Sequence, residues 1–134
     1  MSDETMGGLI KEIFVFGSNL AGIHGAGAAL FARERKGAVR GKGEGLMGES
    51  YGLPTCDHHI RPMTLEDIKP HITKCLEFAK GHPELTFRVT RIGCGLAGLT
   101  NEEVAPLFQS APPNCNFDPQ WAPWFPREVI RDRP

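Results

Sequence analysis

Strand-like and helix-like patterns of hydrophobic residues alternate along this chain. Residues 12–16 predict a buried strand, because β-branched and aromatic side chains follow one another there without polar alternation. Residues 86–92 predict a second buried strand. Residues 49–54 predict a shorter strand, in which Pro54 marks the end of the strand or an edge of the sheet.

Two shorter helices are predicted next to these strands. Residues 26–36 predict a helix that Gly37 ends in the left-handed capping conformation. Thr100 is followed three positions later by Glu103, which is a capping-box pattern, and this predicts a helix that runs to about residue 109.

A longer helix is predicted over residues 64–80. Its apolar residues recur at helical spacing on one face, at Ile68, Ile72, Leu76 and Ala79. The start of this helix stays open, because Thr64 and Asp67 form a capping-box pattern whereas Pro70 favours a first turn.

The alternation of strands and helices places the chain in the α/β class, with a mainly parallel sheet covered on both faces. We divide the sequence into a flexible N-terminus (1–11), one domain (12–110) and a Pro- and Trp-rich extension (111–134) packed on that domain. The prolines of the extension exclude a long helix. We expect an extended segment anchored by Trp121 and Trp124, although these rings could instead stack a base or meet another subunit.

Composition narrows the class of protein further. The chain has 134 residues, of which 40% are hydrophobic, and a net charge of -1, which argues against a nucleic-acid coat or a polybasic membrane anchor. No apolar run approaches the ~20 residues of a membrane span, and no signal-peptide pattern is found. The four cysteines form no Cys-x-x-Cys pair, which favours reduced thiols. We therefore expect a cytoplasmic protein without a membrane partner.

Two glycine-rich segments carry the strongest functional signal. The first glycine loop (residues 17–29) and the second glycine loop (residues 91–98) each follow a predicted strand and open a predicted helix. Backbone N–H groups and the helix dipole attract anions at such a turn, and glycine lets a phosphate approach the backbone. Glycines that merely permit a tight turn are the simpler explanation for one loop. Two such loops in one domain favour a ligand with a diphosphate.

Two common phosphate-binding motifs fit this chain poorly. Gly93, Gly95 and Gly98 have the spacing of the dinucleotide fingerprint, but the further strand and acidic residue of a Rossmann unit do not follow. Neither loop ends in the Gly-Lys-Ser/Thr of a P-loop, which argues against hydrolysis of a nucleoside triphosphate.

The two loops resemble those of macro domains. In residues 14–29, Asn19 ends a strand before a glycine-rich turn, as in the first ligand loop of that family, and residues 91–98 resemble its second, phosphate-binding loop. The resemblance covers about residues 12–110. In its shortness and divergence, the chain is similar to macro-like proteins of phages and their hosts. It implies a three-layer α/β/α sandwich with a mixed, mainly parallel sheet, located in the host cytoplasm if the chain is phage-encoded. It also implies ADP-ribose or a relative as ligand, with no cofactor.

The resemblance also implies a set of site residues. Asn19 would approach the distal ribose, the backbone at residues 25–27 would bind one phosphate, and residues 95–98 would bind the other. The implied ligand-binding residues are Gly17, Ser18, Asn19, Gly25, Ala26, Gly27, Gly93, Cys94, Gly95, Leu96, Ala97 and Gly98. The candidate catalytic residues are Asn19, which would orient a water, and His24, which would assist as a general base. A solvent-facing loop histidine is the alternative for His24.

The chain departs from the macro pattern in two places. Many members carry an adenine-binding aspartate on a strand and helix ahead of the first loop, but only eleven residues precede residue 12 here. Ala97 occupies the place of a catalytic aspartate of one hydrolase branch. The function therefore stays open between an ADP-ribosyl hydrolase or deacylase, whose partner would be an ADP-ribosylated macromolecule, a non-catalytic binder of an ADP-ribose-derived signal, and a nucleic-acid-associated accessory protein.

Other candidate groups each have two interpretations. Cys56, His58 and His59 include the elements of a zinc site, but their spacing is unlike that of paired zinc ligands, and we expect no metal. Cys94 is either a thiol activated at a helix N-terminus or a small buried residue. Basic residues near the end of the first helix either steer an anion or form a solvated face. They are Arg33, Arg35, Lys36, Arg40 and Lys42.

Overall fold

Residues 11–131 are described by the computed structural model, and they form a five-stranded sheet with helices on both faces. The expected flexible N-terminus lies outside the described residues except for Lys11, as do residues 132–134 of the extension. The strands are β1 (Lys11–Asn19), β2 (Gly45–Met47), β3 (Ser50–Cys56), β4 (Leu85–Val89) and β5 (Cys115–Phe117). The α-helices are α1 (Gly27–Arg35), α2 (Leu65–Lys80) and α3 (Asn101–Val104). Turns of 3-10 helix lie at Ala105–Phe108, Pro119–Trp124 and Arg127–Val129.

The sheet has the strand order β2-β3-β1-β4-β5. Strand β1 is parallel to β3 and β4, and β4 is parallel to β5, whereas β2 is antiparallel to β3. The predicted α/β class with a mixed, mainly parallel sheet is therefore confirmed. After β1 the chain leaves toward β3, and after β4 it leaves toward β5. The loops after these two neighbouring strands consequently diverge, which is the topology that opens a crevice at the carboxyl edge of a sheet.

The central strand β1 is buried on both faces, as its uninterrupted apolar run predicts. Ile13 and Val15 belong to the larger core, which also contains the apolar face of α2. Phe14 and Phe16 belong to a smaller cluster with residues of α1 on the opposite face. The two clusters establish three layers, with α1 on one side of the sheet and α2 on the other.

The longer predicted helix is confirmed as α2, and its start is resolved. Thr64 is the N-cap residue, and its side chain accepts a hydrogen bond from the backbone N–H of Asp67 at 3.2 Å. Pro70 lies inside α2, beyond the first turn. The capping pattern at Thr64 therefore determines where this helix begins, and the proline is accommodated within it.

The predicted helix over residues 26–36 is confirmed as α1, and Gly37 follows it with φ 82°. The helix predicted from Thr100 to about residue 109 is only partly correct. Its capping box with Glu103 is present, but the α-helix ends at Val104 and continues as 3-10 helix. Pro106 explains the change, because it has no N–H to donate to the preceding turn.

All three predicted strands differ in length from the prediction, and β1 continues beyond the predicted residue 16 to Asn19. Strand β3 continues through Pro54 to Cys56, and β2 pairs with it only at residues 50–52. Pro54 lies between the last β2 pair at Gly52 and the bridge of Cys56 to Pro62, and this gap on the outer side of β3 tolerates a residue without an N–H. Strand β4 ends at Val89, short of the predicted residue 92.

The extension supplies an edge strand that the sequence does not predict, and it supplies Trp121 as the core anchor that the sequence does predict. Strand β5 places Phe117 opposite Val89 of β4. Trp121 is fully buried in the larger core, at 0% exposure. Its ring packs near Phe108 and Phe117, with centroid distances of 5.5 and 6.1 Å. Trp121 is therefore a structural anchor and offers no free face to a base.

Candidate functional site

A cleft of about 620 Å³ opens at the carboxyl edge of the sheet, between the two glycine loops. The described residues that line it come from the ends of β1, β3, β4 and β5 and from the start of α1. They are Gly17, Ser18, Asn19, Ile23, Gly25, Ala26, Gly27, Ala28, Ala29, Thr55, Cys56, Ile60, Thr90, Arg91, Gly93, Cys94, Gly95, Leu96, Ala97 and Asp118. Of the site residues that the sequence suggests, His24 and Gly98 alone do not line the cleft.

The first glycine loop ends at an uncapped helix N-terminus that borders the cleft. Ala26 is the N-cap residue of α1 and makes no side-chain capping bond, and the first turn carries no acidic residue. The first N–H groups of a helix have no acceptor within the helix itself. The N–H groups of Gly27, Ala28 and Ala29 have no acceptor among residues 11–131 and are available to an anion in the cleft.

The second glycine loop differs from the expectation that it opens directly into a helix N-terminus. Helix α3 begins only at Asn101, and Thr100 and Glu103 already satisfy its first N–H groups through their capping box. The loop is instead a series of turns, with Gly98 N–H donating to Gly95 C=O at 2.9 Å. Within the described part of the chain, the N–H groups of Gly95, Leu96 and Ala97 reach no acceptor. These groups, and not a helix end, make the second loop suitable for an anion.

Not every glycine of the two loops is explained by the fold. Gly93 has φ 78°, and a Cβ there would lie 2.9 Å from Leu99 Cδ1, so the turn itself requires glycine. Gly25 and Gly95 have no positive φ, and a Cβ on either would meet nothing within 4 Å. Both line the cleft. Their missing side chains leave open space where a ligand could approach the backbone.

Asn19 lines the cleft, but its amide is used to close the first loop. Its Nδ2 donates to the C=O of Ile23 at 2.7 Å, and its Oδ1 accepts from the N–H of Ile23 at 3.0 Å. The residue is 7% exposed. Both ends of the amide are therefore engaged with the backbone of its own loop, which fixes the shape of that loop.

His24 lies behind the first loop, at 1% exposure, and the interpretation as a solvent-facing histidine is wrong. Its Nε2 is 3.0 Å from the C=O of Val39 and 3.0 Å from the C=O of Lys42. A nitrogen between two carbonyl oxygens must carry the proton, so Nε2–H is the donor. The ring contacts Phe16 edge-on, with centroids 5.4 Å apart. In this position His24 joins the first loop to the segment beneath it and does not reach the cleft.

Among the described residues that line the cleft, Arg91 is the one cation and Asp118 the one anion, and neither is among the site residues that the sequence suggests. Arg91 lies two residues beyond the end of β4, and its Nη1 donates to Asn101 Oδ1 at 3.1 Å. Asp118 follows β5 and accepts from the N–H of Gln120 at 2.8 Å. The pairing of β4 with β5 brings these residues to the same edge, although they are distant in sequence.

Exposed apolar side chains stand on both lips of the cleft. Leu96 of the second loop is 76% exposed, and Ile23 of the first loop is 46% exposed. Ile60 also lines the cleft, with φ 62°, a left-handed conformation that β-branched residues rarely adopt. Both glycine loops thus carry an exposed apolar side chain beside the cleft.

The thiols near the cleft are not activated. Burial raises the pKa of Cys94, and the smaller opposing effect of the Arg91 charge does not reverse this. Burial likewise raises the pKa of the Cys56 thiol. Cys94 therefore corresponds to the small, partly buried residue of the two interpretations, and its Sγ lies 3.6 Å from Asn101 Oδ1.

The histidines and cysteines do not form a metal site in the described chain. Residues 11–131 contain no group of three or more His, Cys, Asp or Glu side chains placed to hold an ion. His71 Nδ1 instead contacts Glu44 Oε2 at 2.6 Å. Of the helices within this range, none combines the length and apolar character needed to cross a membrane.

No family model, curated protein or solved structure matches the chain. The resemblance to macro domains thus rests on the two loops themselves.

Proposed function

We propose that the cleft binds ADP-ribose or a related nucleotide diphosphate. One observation carries the proposal: the uncapped start of α1 and the free N–H groups of the second glycine loop border the same cavity. Two groups of unpaired backbone donors attract two negative charges held a short distance apart, as in a diphosphate. The macro-like order of the two loops then favours ADP-ribose among such ligands.

The dimensions of the cleft suit a ligand of this size. A volume of about 620 Å³ falls within the range of roughly 300–1,000 Å³ that is typical of small-molecule sites. The cleft borders the ends of four strands, which are spaced about 4.8 Å apart and so span about 14 Å. The diphosphate would lie at the middle strands, and its two organic groups would extend toward Asp118 at one end and Ile60 at the other.

Binding without catalysis is the form of the proposal that the side chains favour. The amide of Asn19 is bonded at both ends to Ile23, and His24 lies outside the cleft. Asp118 is the one carboxylate among the described lining residues, and the N–H of Gln120 already occupies one of its oxygens. An ADP-ribosylated macromolecule would then be a bound partner, not a substrate.

Calorimetric titration of the protein with ADP-ribose, ADP and ribose 5-phosphate tests the proposal. We expect the two diphosphates to bind and to raise the unfolding temperature, and the monophosphate to bind more weakly. Absence of both heat and thermal stabilisation with ADP-ribose at millimolar concentration would refute the proposal.

Alanine substitutions of two glycines make the test specific to the cleft. Gly25→Ala and Gly95→Ala should leave the unfolding temperature unchanged or slightly higher, because neither position is crowded or has a positive φ. Both should weaken ADP-ribose binding, because the added methyl group fills the space above the backbone donors. Gly81→Ala is the matched control, since Gly81 caps α2 with φ -79° and lies outside the cleft. Equal affinity in all four proteins would contradict the assigned ligand position.

Incubation with an ADP-ribosylated protein separates a binder from a hydrolase. A binder retains the modified protein and releases no ADP-ribose, and this is the expected result. Release of ADP-ribose at a rate that falls in Asn19→Ala would instead assign hydrolysis to the cleft.

A further inference from the structure

We propose that Arg91 is a phosphate-binding residue of the cleft and that Asn101 positions it without neutralising its charge. The inference rests on the proposed function and adds a charged side chain to a site otherwise made of backbone donors.

Arg91 is the single cation among the described residues that line the cleft. No carboxylate of residues 11–131 forms an ion pair with it within 4.0 Å. Its guanidinium has five N–H donors in a planar fork, and one hydrogen bond to Asn101 leaves most of them free. A fork of this kind matches the oxygens of a phosphate group. Arg91 thus brings an unneutralised positive charge to the second glycine loop.

Asn101 is held rigidly in the position from which it orients Arg91. Its Oδ1 accepts hydrogen bonds from Arg91 Nη1 at 3.1 Å and from Trp121 Nε1 at 2.9 Å. Cys94 Sγ is a third, weaker donor to the same oxygen, at 3.6 Å. Because Trp121 is fully buried in the core, this oxygen, and with it the guanidinium, is fixed relative to the sheet.

The neutral amide at position 101 leaves the charge of Arg91 available to a ligand. All three groups that contact Oδ1 are donors, so a carboxylate could accept the same three bonds. The side-chain Nδ2 of Asn101 donates to no residue in the range 11–131, so no observed bond requires asparagine over aspartate. An aspartate would also suit the first turn of α3. It would, however, pair with Arg91 and cancel its charge.

Asn101→Asp is therefore the central variant of the test. We expect its unfolding temperature to equal or exceed that of the wild type, because the three hydrogen bonds are kept. Its affinity for inorganic pyrophosphate and for ADP-ribose should fall by about 10- to 100-fold, the range expected for loss of charge-assisted hydrogen bonds. A structural role for Asn101 alone predicts unchanged affinity, and that result would overturn the proposal.

A double-mutant cycle distinguishes an effect through Arg91 from simple repulsion of the ligand by the new carboxylate. Arg91→Gln should weaken the binding of pyrophosphate and of ADP-ribose about as much as Asn101→Asp does. Arg91→Lys should retain part of the affinity, because lysine keeps the charge but lacks the planar fork of donors. Adding Asn101→Asp to Arg91→Gln should cause little further loss. Additive losses would show that the carboxylate acts directly and would overturn the positioning role.

The outcomes also separate this inference from the proposed function. If the wild type binds ADP-ribose and Arg91→Gln binds it equally well, the proposed function stands and the assignment of Arg91 fails. If the wild type binds neither pyrophosphate nor ADP-ribose, both fail. Thermal unfolding of each variant, recorded beside the titration, shows whether a loss of affinity comes from a loss of folded protein.

Discussion

Replacing Asn19 by alanine would remove the clamp that closes the first glycine loop. The lost contacts are two hydrogen bonds to the backbone of Ile23, at 2.7 and 3.0 Å, from a side chain that is 7% exposed. Each such bond contributes about 0.5–1.5 kcal/mol net, so we expect the free energy of unfolding to fall by about 1–3 kcal/mol. Each kcal/mol lowers the unfolding temperature of a chain of this length by roughly 3–5 °C.

Replacing Asn19 by aspartate keeps the shape of the side chain but sets an oxygen against the C=O of Ile23. Burial and this facing carbonyl should raise the pKa of the new carboxyl in the folded protein above the value of about 3.9 for an unfolded aspartate. The protonated acid can still donate to Ile23. The variant should therefore be nearly as stable as the wild type below pH about 3.9. As the pH rises through the raised folded-state pKa, its free energy of unfolding should fall below that of the wild type.

Urea unfolding followed by tryptophan fluorescence, to which Trp124 and the buried Trp121 both contribute, measures both effects, with the wild type run at each pH. A free energy of unfolding for Asn19→Ala within about 0.5 kcal/mol of the wild type would refute the clamp, since surface substitutions commonly fall in that range. For Asn19→Asp, a difference from the wild type that does not grow with pH would show that the aspartate does not face the carbonyl. If Asn19→Ala were as stable as the wild type but released less ADP-ribose from a modified protein than the wild type does, Asn19 would have a catalytic role.

Three further predictions concern packing, thiol chemistry and helix geometry. Gly43→Ala should destabilise the protein by about 1–3 kcal/mol or more in urea unfolding, because a Cβ added at this position would collide with the backbone oxygen of Asn19; wild-type stability would contradict the packing of these segments. Burial raises the pKa of Cys94, so iodoacetamide should modify its peptide more slowly than free cysteine at neutral pH, as followed by mass spectrometry; an equal or faster rate would be inconsistent with the burial. Pro70→Ala should raise the free energy of unfolding by about 1–3 kcal/mol, because it restores an N–H that can donate to Glu66 C=O within α2; a less stable variant would oppose this account.

The parts of the fold that depend on neighbouring residues could be predicted from the sequence. The apolar run of β1 and the capping residue Thr64 of α2 are local signals, and both elements form where they indicate. Strands β2 and β5 have only three residues each, too few to show a period. They exist because they pair with β3 and β4, which are long-range contacts that no local pattern reports.

The candidate site also combines residues that a local sequence signal indicates with residues that only long-range contacts bring there. The glycines of both loops are visible in the sequence because the absence of side chains is itself the signal. Arg91 belongs to the second glycine loop, whereas Asp118 reaches the same edge only through the pairing of β4 with β5, so the proximity of Asp118 to the cleft could not be predicted from its own segment. The burial of His24 depends on residues 39–42, which pass beneath the first loop and accept its hydrogen bonds through their backbone. A backbone acceptor leaves no residue-specific trace in the sequence.

The two faces of the sheet are unequally filled, and this has a consequence for the amide hydrogens of the protein. The cluster beneath α1 contains six buried residues, three of them alanine, whereas the cluster beneath α2 contains eighteen. Local opening needs less free energy where less apolar surface is buried, so the amides of α1 should exchange with deuterium faster than those of α2. A ligand held at the N-terminus of α1 would slow that exchange selectively. Exchange in the weakly packed helix α1 would thereby report occupancy of the cleft. A bound ligand would add contacts to the layer of the fold in which the side chains of the protein bury the least apolar surface.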